Sequence, residues 1–236
     1  ETNSWEKIKK LPDKIDSRKE LVLISSYTFI HENFFNKFLK DLNKHEYEKI
    51  LVDLENKSLK EENFGKIEDK LLQKENFNLI KEKNDYYQCI EFFKVCIYLK
   101  KIIDSHKINF CIIERNKIGS EPYKNEKKAF KQIFDNDYLT NLDMYKRINF
   151  ITNRKDSIFV TNVSTLGREC LALNRKVFFP SFLLHYYNPK FFDKLSPFFS
   201  LNDNYESFYQ KINALINMDK KAFINNIKNI KRTMNT

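Results

Sequence analysis

Short apolar runs alternate with longer amphipathic stretches along this chain. Polar or turn-forming residues bound each run, as is typical of strands that are buried on both faces. The predicted strands are LVLISSY (21–27), EKILVDL (48–54), INFCIIE (108–114), INFIT (148–152), SIFVTN (157–162) and KVFFP (176–180).

The stretches between these runs show helical periodicity. It is clearest over 85–104, where Cys89, Phe92, Cys96 and Leu99 recur at the spacing of one helical face. Further helices are predicted over 31–44, 124–134 and 164–173, and as a pair in the tail that breaks near Met218 and Asp219.

The alternation of apolar strands and helices predicts an α/β fold. We expect a doubly wound, Rossmann-like parallel sheet with helices on both faces. A length of 236 residues suits one such domain. We place this domain over 20–236, after a charged lead-in over 1–19. Because the first residue is Glu1 rather than Met, we also expect the chain to belong to a longer protein.

The formal net charge of +10 first raises the question of a nucleic-acid partner. Lysine supplies 35 of the 42 basic residues, and the lysines are interleaved with acids, as in KEENFGKIEDKLLQKENF. Nucleic-acid binders more often place their basic residues on one stripe, with arginine well represented. The charge therefore reflects the Lys- and Asn-rich bias of an AT-rich genome, although it also suits an anionic lipid or a phosphorylated substrate.

Several protein classes are not supported by the sequence. It has no apolar run of about 18 residues that would span a membrane, and the polar start ETNSWEKIKKLPDK is unlike a secretory signal. The cysteines Cys89, Cys96, Cys111 and Cys170 form no CxxC pair. We expect them to be buried thiols in a reducing cytoplasm.

Polar residues follow three of the predicted strands. Ser25 and Ser26 close the first strand, Arg115 follows the strand at 108–114, and residues 161–165 join a strand directly to a helix. In an open parallel sheet, ligands bind beyond the carboxyl ends of the strands. We therefore expect a binding site that includes these strand ends.

The segment SIFVTNVSTLGRECLALNRKVFF (157–179) is the most informative one. The unpaired N–H groups of a helix that begins at Ser164 favour an anion, and the Ser164 and Thr165 hydroxyls add donors. Glu169, more than one turn further, can accept hydrogen bonds from a ribose or sugar diol. The alternative is structural: Ser164 only caps the helix, and Gly167 only permits close packing.

This segment resembles the donor-binding half of GT-B glycosyltransferases, especially bacterial enzymes of capsule and other surface-polysaccharide biosynthesis. The residues that match the family pattern are Ser164, Thr165, Leu166, Gly167, Glu169, Ala172, Leu173, Lys176 and Val177. Arg115 corresponds to a basic residue that faces the phosphate in that family, but the proline that usually follows is absent. The resemblance covers roughly residues 20–235.

The resemblance implies a site for a nucleotide sugar. Contacts with the donor phosphate would come from Ser25, Ser26, Arg115, Ser164, Thr165 and Gly167. Contacts with the ribose or the sugar would come from Glu169 and His185. The resemblance implies no metal ion, and no cofactor apart from the nucleotide sugar, which is the substrate.

His31 is a candidate general base, because the pKa of histidine suits proton transfer near neutral pH. The alternative is a helix-start residue on the surface. In GT-B enzymes the acceptor domain usually contributes the base. The resemblance therefore also implies an N-terminal acceptor domain outside this chain.

We therefore expect a metal-independent glycosyltransferase, or its donor domain, in the cytoplasm or at the inner face of the membrane. It would transfer a sugar from a nucleotide-activated donor to a surface polysaccharide or glycolipid acceptor. Two enzymatic alternatives share the half-fold, a nucleotide-sugar epimerase and a polyol-phosphate transferase. The non-enzymatic alternative is a basic module that binds nucleic acid or an anionic membrane, and the Lys-rich tail from Lys220 leaves a peripheral membrane contact open.

Overall fold

The computed structural model describes residues 19–34, 83–135, 138–162, 164–180, 199–200, 205–219, 221–226 and 228. The strands are β1 (Glu20–Ile24), β2 (Asn109–Ile113), β3 (Ile158–Val160), β4 (Lys176–Pro180) and β5 (Phe199–Ser200). The helices are α1 (Phe29–Phe34), α2 (Lys83–His106), α3 (Glu121–Phe134), α4 (Met144–Asn153), α5 (Thr165–Ala172) and α6 (Tyr205–Asn217). Helices and a parallel sheet together confirm the α/β class.

The described strands form one parallel sheet in the order β2-β1-β3-β4-β5. In β1, Leu21, Val22 and Leu23 are fully buried and Ile24 is 3% exposed. Successive side chains of a strand point to opposite faces of the sheet. Both faces of β1 are therefore covered by protein, which explains why its apolar run is continuous rather than alternating.

Successive strands are added to the sheet first on one side of β1 and then on the other. The chain passes from β1 to β2 on one side and then returns to lay β3 on the other side. Connections that leave the carboxyl ends of β1 and β3 diverge, and this divergence opens a crevice at that edge of the sheet. Ser25 extends the pairing at this edge, because its N–H donates to the carbonyl of Ile113 at 2.9 Å.

The longest described helix, α2, confirms the helix predicted over 85–104 and extends it slightly at both ends. Phe92 and Phe93 are each 1% exposed, and Leu99 is fully buried. The helix packs against α1, α3 and α6, and α6 packs in turn against β3, β4 and β5. One continuous apolar core thus connects the sheet to these helices.

Residues 148–152 are helical, so the strand predicted there is wrong. They lie in α4, which Asp143 caps by accepting a hydrogen bond from the Lys146 N–H at 3.0 Å. Ile151 is fully buried, whereas Ile148 is 40% exposed. A five-residue apolar run is compatible with either structure, and the cap at Asp143 decides for the helix.

Some predictions fall outside the described residues. These are the lead-in over 1–18, the strand over 48–54, the greater part of the helix over 31–44, His185, and the tail beyond residue 228. The strands predicted over 108–114, 157–162 and 176–180 are confirmed by β2, β3 and β4.

Candidate functional site

A cavity of about 540 Å³ lies at the carboxyl ends of β1 and β2, beside the first turn of α5. Its lining consists of strand-end residues, the start of α5 and three arginines: Ile24, Ser25, Glu114, Arg115, Arg147, Ser164, Thr165, Leu166 and Arg168. The cavity therefore occupies the edge at which parallel sheets bind ligands. The structure brings Ser25, Arg115, Ser164 and Thr165 together there.

Among the described residues, the cations of this lining are all arginines. The chain has seven arginines and 35 lysines, yet the described part of the lining contains three arginines and no lysine. Arg115 and Arg168 are exposed, and in the described part of the chain neither forms an ion pair with a carboxylate. Guanidinium groups without such partners are available to an anion, and their planar donor array suits a phosphate.

Arg147, on α4, is the third arginine and is only 9% exposed. Its Nη1 donates to the carbonyl of Arg115 and its Nη2 to the carbonyl of Asn116, both at 3.3 Å. Its Nε is buried and has no hydrogen-bond partner among the described residues. Arg147 forms no ion pair with a described carboxylate; a buried cation without such a partner is costly, and a bound anion would offset that cost.

Glu114 is the one carboxylate that the described residues contribute to the lining, and it is 1% exposed. It accepts hydrogen bonds from the Thr140 hydroxyl at 3.0 Å and from the Leu142 N–H at 2.7 Å. These contacts tie the end of β2 to the segment before α4. The described residues of the lining, with three guanidinium groups and one carboxylate, carry a net positive charge.

The first turn of α5 forms one wall of the cavity. Ser164 is its N-cap, and the Ser164 Oγ accepts a hydrogen bond from the Leu166 N–H at 3.2 Å. The capping role is therefore confirmed, while the hydroxyl proton of Ser164 and that of the exposed Thr165 can still be donated. Glu169 is exposed further along the helix and lies outside the lining.

Gly167 is required by packing between α5 and the sheet. A Cβ at this position would lie 2.5 Å from the Thr161 Cγ2 and 3.1 Å from the Phe179 Cε1. Gly167 is buried and is not part of the lining. The packing explanation accounts for this glycine, and its contact with a phosphate stays a prediction.

The hydroxyl of Ser25 is already engaged within the protein. Ser25 is 3% exposed, and its Oγ donates to the Glu126 Oε1 at 2.5 Å and accepts from the Tyr27 N–H at 3.1 Å. Ser26 is half-buried and lies outside the lining. Ser25 therefore forms part of the cavity wall, but its hydroxyl proton is already donated to Glu126.

Glu126 is a buried residue of this region that the sequence reasoning missed. It lies on α3, is fully buried, and accepts hydrogen bonds from Ser25, Arg115 and Asn116. Burial raises the pKa of its carboxyl above the usual range, and these hydrogen bonds oppose the rise. A signal was present, because Glu126 shares the helical spacing of the apolar Ala129 and Phe130.

His31 is not brought to the cavity. It is 3% exposed, its Nδ1 lies 2.9 Å from the Thr28 Oγ1, and its ring packs edge-on against Phe92 with centroids 4.8 Å apart. The alternative that placed it on the surface is wrong, because the α1–α2 contact buries it. A role as general base stays a prediction without support from the lining of the cavity.

Two properties of the described residues bear on the sequence predictions. No group of three or more His, Cys, Asp or Glu side chains among them is arranged to hold a metal ion. None of the described helices combines the length and apolarity needed to cross a bilayer.

Comparison with known proteins gives no family assignment. No protein-family model matches the chain, and neither the curated proteins nor the solved structures contain a similar one. The chemistry of the cavity and the sequence pattern around α5 therefore carry any functional conclusion.

Proposed function

We propose that the cavity binds the phosphate groups of a nucleotide-activated sugar, and that the chain is the donor-binding part of a GT-B glycosyltransferase. The observation that carries this proposal is the convergence of Arg115, Arg147 and Arg168 on a cavity beside the N-terminus of α5. The transferred sugar would go to a surface polysaccharide or glycolipid. The sheet is then the doubly wound, Rossmann-like half of that fold.

The position of the cavity supports this proposal. It lies where the strand order reverses between β1 and β3, and nucleotides bind at such a reversal in open α/β sheets. The N-terminus of α5 adds backbone N–H donors and the positive end of the helix dipole to the guanidinium groups. These features together favour a ligand that carries phosphate.

The same groups suit the chemistry of glycosyl transfer. When an acceptor hydroxyl attacks the anomeric carbon, the bond from that carbon to the phosphate oxygen breaks and the nucleotide leaves with the electron pair. Arg115, Arg147 and Arg168 would stabilise the negative charge that develops on the departing phosphate. The proton of the acceptor hydroxyl would pass to a base of the acceptor domain, because the described residues place no histidine in this lining.

Calorimetric titration with a panel of nucleoside mono- and diphosphates tests the proposal. Arg168→Gln is expected to remove about 1.5–3 kcal/mol of a charge-assisted contact, which weakens binding about tenfold or more. Lys128→Gln is the matched control, because it removes one positive charge from an exposed position on α3 outside the lining. The proposal fails if no nucleotide binds, or if both variants weaken binding equally.

A second pair of variants separates ligand contact from helix capping. Ser164→Ala removes a cap and a hydroxyl donor at the cavity, whereas Ser120→Ala removes the corresponding cap of α3. Both changes are expected to lower stability by about 1 kcal/mol. Only Ser164→Ala is expected to weaken nucleotide binding, and Glu169→Ala tests the ribose contact in the same assay.

A nucleotide-sugar epimerase or a polyol-phosphate transferase would use a similar cavity. Product analysis with a labelled donor distinguishes the three activities, because only the glycosyltransferase moves the sugar to an acceptor without the phosphate. If the chain acts only as the donor domain, we expect binding without turnover.

A further inference from the structure

The carboxylate of Glu126 connects the segments that follow β1 and β2. Its Oε1 accepts from the Ser25 Oγ at 2.5 Å and from the Arg115 N–H at 2.9 Å. Its Oε2 accepts from the Asn116 N–H at 3.0 Å and from the Asn116 Nδ2 at 2.9 Å. Four donors thus converge on one fully buried carboxylate.

One peptide unit links this carboxylate to the buried guanidinium of Arg147. The peptide between Arg115 and Asn116 donates its N–H to Glu126, and its carbonyl accepts from the Arg147 Nη1 at 3.3 Å. The next carbonyl, that of Asn116, accepts from the Arg147 Nη2 at 3.3 Å. Hydrogen bonds in such a chain polarise one another, so the carboxylate strengthens the acceptor that holds the guanidinium.

This arrangement holds Arg147 without neutralising it directly. Glu126 and Arg147 lie on opposite sides of the peptide, and the Arg147 Nε has no partner among the described residues. The guanidinium therefore stays fixed in the wall of the cavity while part of its donor capacity is unused.

We propose that Glu126 is the positioning residue for Arg147. It fixes the Arg115–Asn116 peptide, this peptide fixes the guanidinium, and the fixed guanidinium sets the affinity of the cavity for an anion. The consequence for anion affinity rests on the proposed function, whereas the positioning itself does not.

The positioning is tested first without any ligand. In Glu126→Gln, the side-chain oxygen can still accept from Ser25 and Arg115, but an NH₂ group replaces the oxygen that faces the Asn116 N–H. We expect amide hydrogen exchange at Asn116 to accelerate about tenfold or more, and the Arg147 Nε–H resonance to shift. Glu121→Gln, at an exposed position on the same helix, is the matched control and should change neither signal.

A second variant keeps the test decisive if Glu126→Gln does not fold. Glu126→Asp retains the negative charge, but its side chain is one methylene shorter. The carboxylate therefore no longer reaches the Asn116 N–H. We expect the same faster exchange and the same shift at Arg147. Unchanged exchange at Asn116 and an unchanged Arg147 resonance in a folded variant overturn the positioning role.

The effect on the cavity is tested with inorganic pyrophosphate as the probe. Glu126→Gln is expected to weaken pyrophosphate binding about tenfold in the natural chain, and by less than about twofold when Arg147→Gln is also present. Equal weakening in both backgrounds shows a general structural effect and overturns the proposal. If the natural chain binds neither pyrophosphate nor any nucleotide, the proposed function fails, while the exchange experiment still decides whether Glu126 positions Arg147.

Discussion

Arginine and lysine are not interchangeable in this chain. Lysine is the common cation and is found on exposed positions such as Lys128 and Lys131 of α3, whereas the cations that line the cavity are all arginines in the part of the chain that the structure describes. Arginine can donate to two acceptors at fixed angles, as Arg147 does to two successive carbonyls. A compositional bias that favours lysine does not explain three arginines at one cavity, and this contrast strengthens the case for an anionic ligand.

Gly167 allows a prediction about stability. An alanine Cβ there would lie 2.5 Å from the Thr161 Cγ2, so α5 or Thr161 must shift. Overpacking typically costs about 1–3 kcal/mol, while alanine gains about 1 kcal/mol over glycine inside a helix. We expect Gly167→Ala to lower the free energy of unfolding by up to about 2 kcal/mol, measured by urea denaturation.

The partner residue supplies the control for this prediction. Thr161→Ser keeps the hydroxyl and removes the methyl group that the new Cβ would meet. The cost of Gly167→Ala should therefore be smaller in the Thr161→Ser background than in the natural chain. An equal cost in both backgrounds would show that the Thr161 contact is not the cause.

Lys176 connects two elements, β4 and the C-terminal end of α6. Its Nζ donates to the carbonyl of Ile216 at 3.3 Å and to that of Met218 at 2.6 Å. Carbonyls at the end of a helix lack intrahelical donors, so the ammonium group supplies what the helix itself cannot. The contact fixes α6 against the sheet at the edge opposite the cavity, because Lys176 begins its strand.

The burial of Lys176 makes the stability of the chain depend on pH. Burial, followed by the nearby charge of Lys19, lowers the pKa of Lys176 to about 8, and Asp156 and Asp219 oppose the change. The unfolded chain keeps the ordinary value of 10.5. Between these two values the unfolded chain binds more protons, so a rise in pH favours the folded state in this window.

The contribution of Lys176 to this pH dependence can be measured by urea denaturation of the natural chain and of Lys176→Met at pH 7.5 and 9.5. The free energy of unfolding of the natural chain should rise relative to that of the variant as the pH increases. Lys211, whose pKa burial also lowers to about 8, contributes to both proteins and cancels in the comparison. Parallel pH profiles would contradict the prediction.

The sequence predicts the elements of this fold better than it predicts the site. Short continuous apolar runs predict β1, β2 and β4, because such runs are typical of strands in a parallel sheet that is covered on both faces. The helix α4 was predicted as a strand over 148–152, because five residues are too few to show helical periodicity. Glu126 was missed because it lies on the apolar face of α3, where only tertiary contacts show that its carboxylate is satisfied.

At the scale of the whole molecule, the cavity depends on distant parts of the chain meeting at one sheet edge. Arg115 follows β2, Arg147 lies on α4, and Arg168 lies on α5. Sequence spacing does not indicate that these three residues meet, because the reversal of strand order and the packing of α4 place them together. Arg115 was predictable as a strand-end residue, whereas Arg147 and Arg168 required the assembled fold.

The formal net charge of +10 also allows a non-specific explanation of any anion binding. Non-specific binding to nucleic acid depends on released counterions, and a protein that makes six to ten phosphate contacts loses about 10³-fold or more in affinity between 50 and 200 mM salt. A nucleotide held by a few guanidinium groups and helix N–H donors releases far fewer ions. We therefore expect nucleoside diphosphate binding to weaken less than about tenfold over the same range of salt.

Titrations at 50 and 200 mM NaCl with a nucleoside diphosphate, duplex DNA and anionic vesicles measure this difference. The double variant Lys128→Gln/Lys131→Gln, which lowers the charge of an exposed face of α3, should weaken DNA and vesicle binding and leave nucleotide binding unchanged. Arg168→Gln should weaken nucleotide binding and leave DNA and vesicle binding almost unchanged, because it alters the cavity but removes only one surface charge. If DNA or vesicles bind at 50 mM NaCl and are released at 200 mM NaCl while nucleotide binding is absent, the net charge rather than the cavity determines what this protein binds.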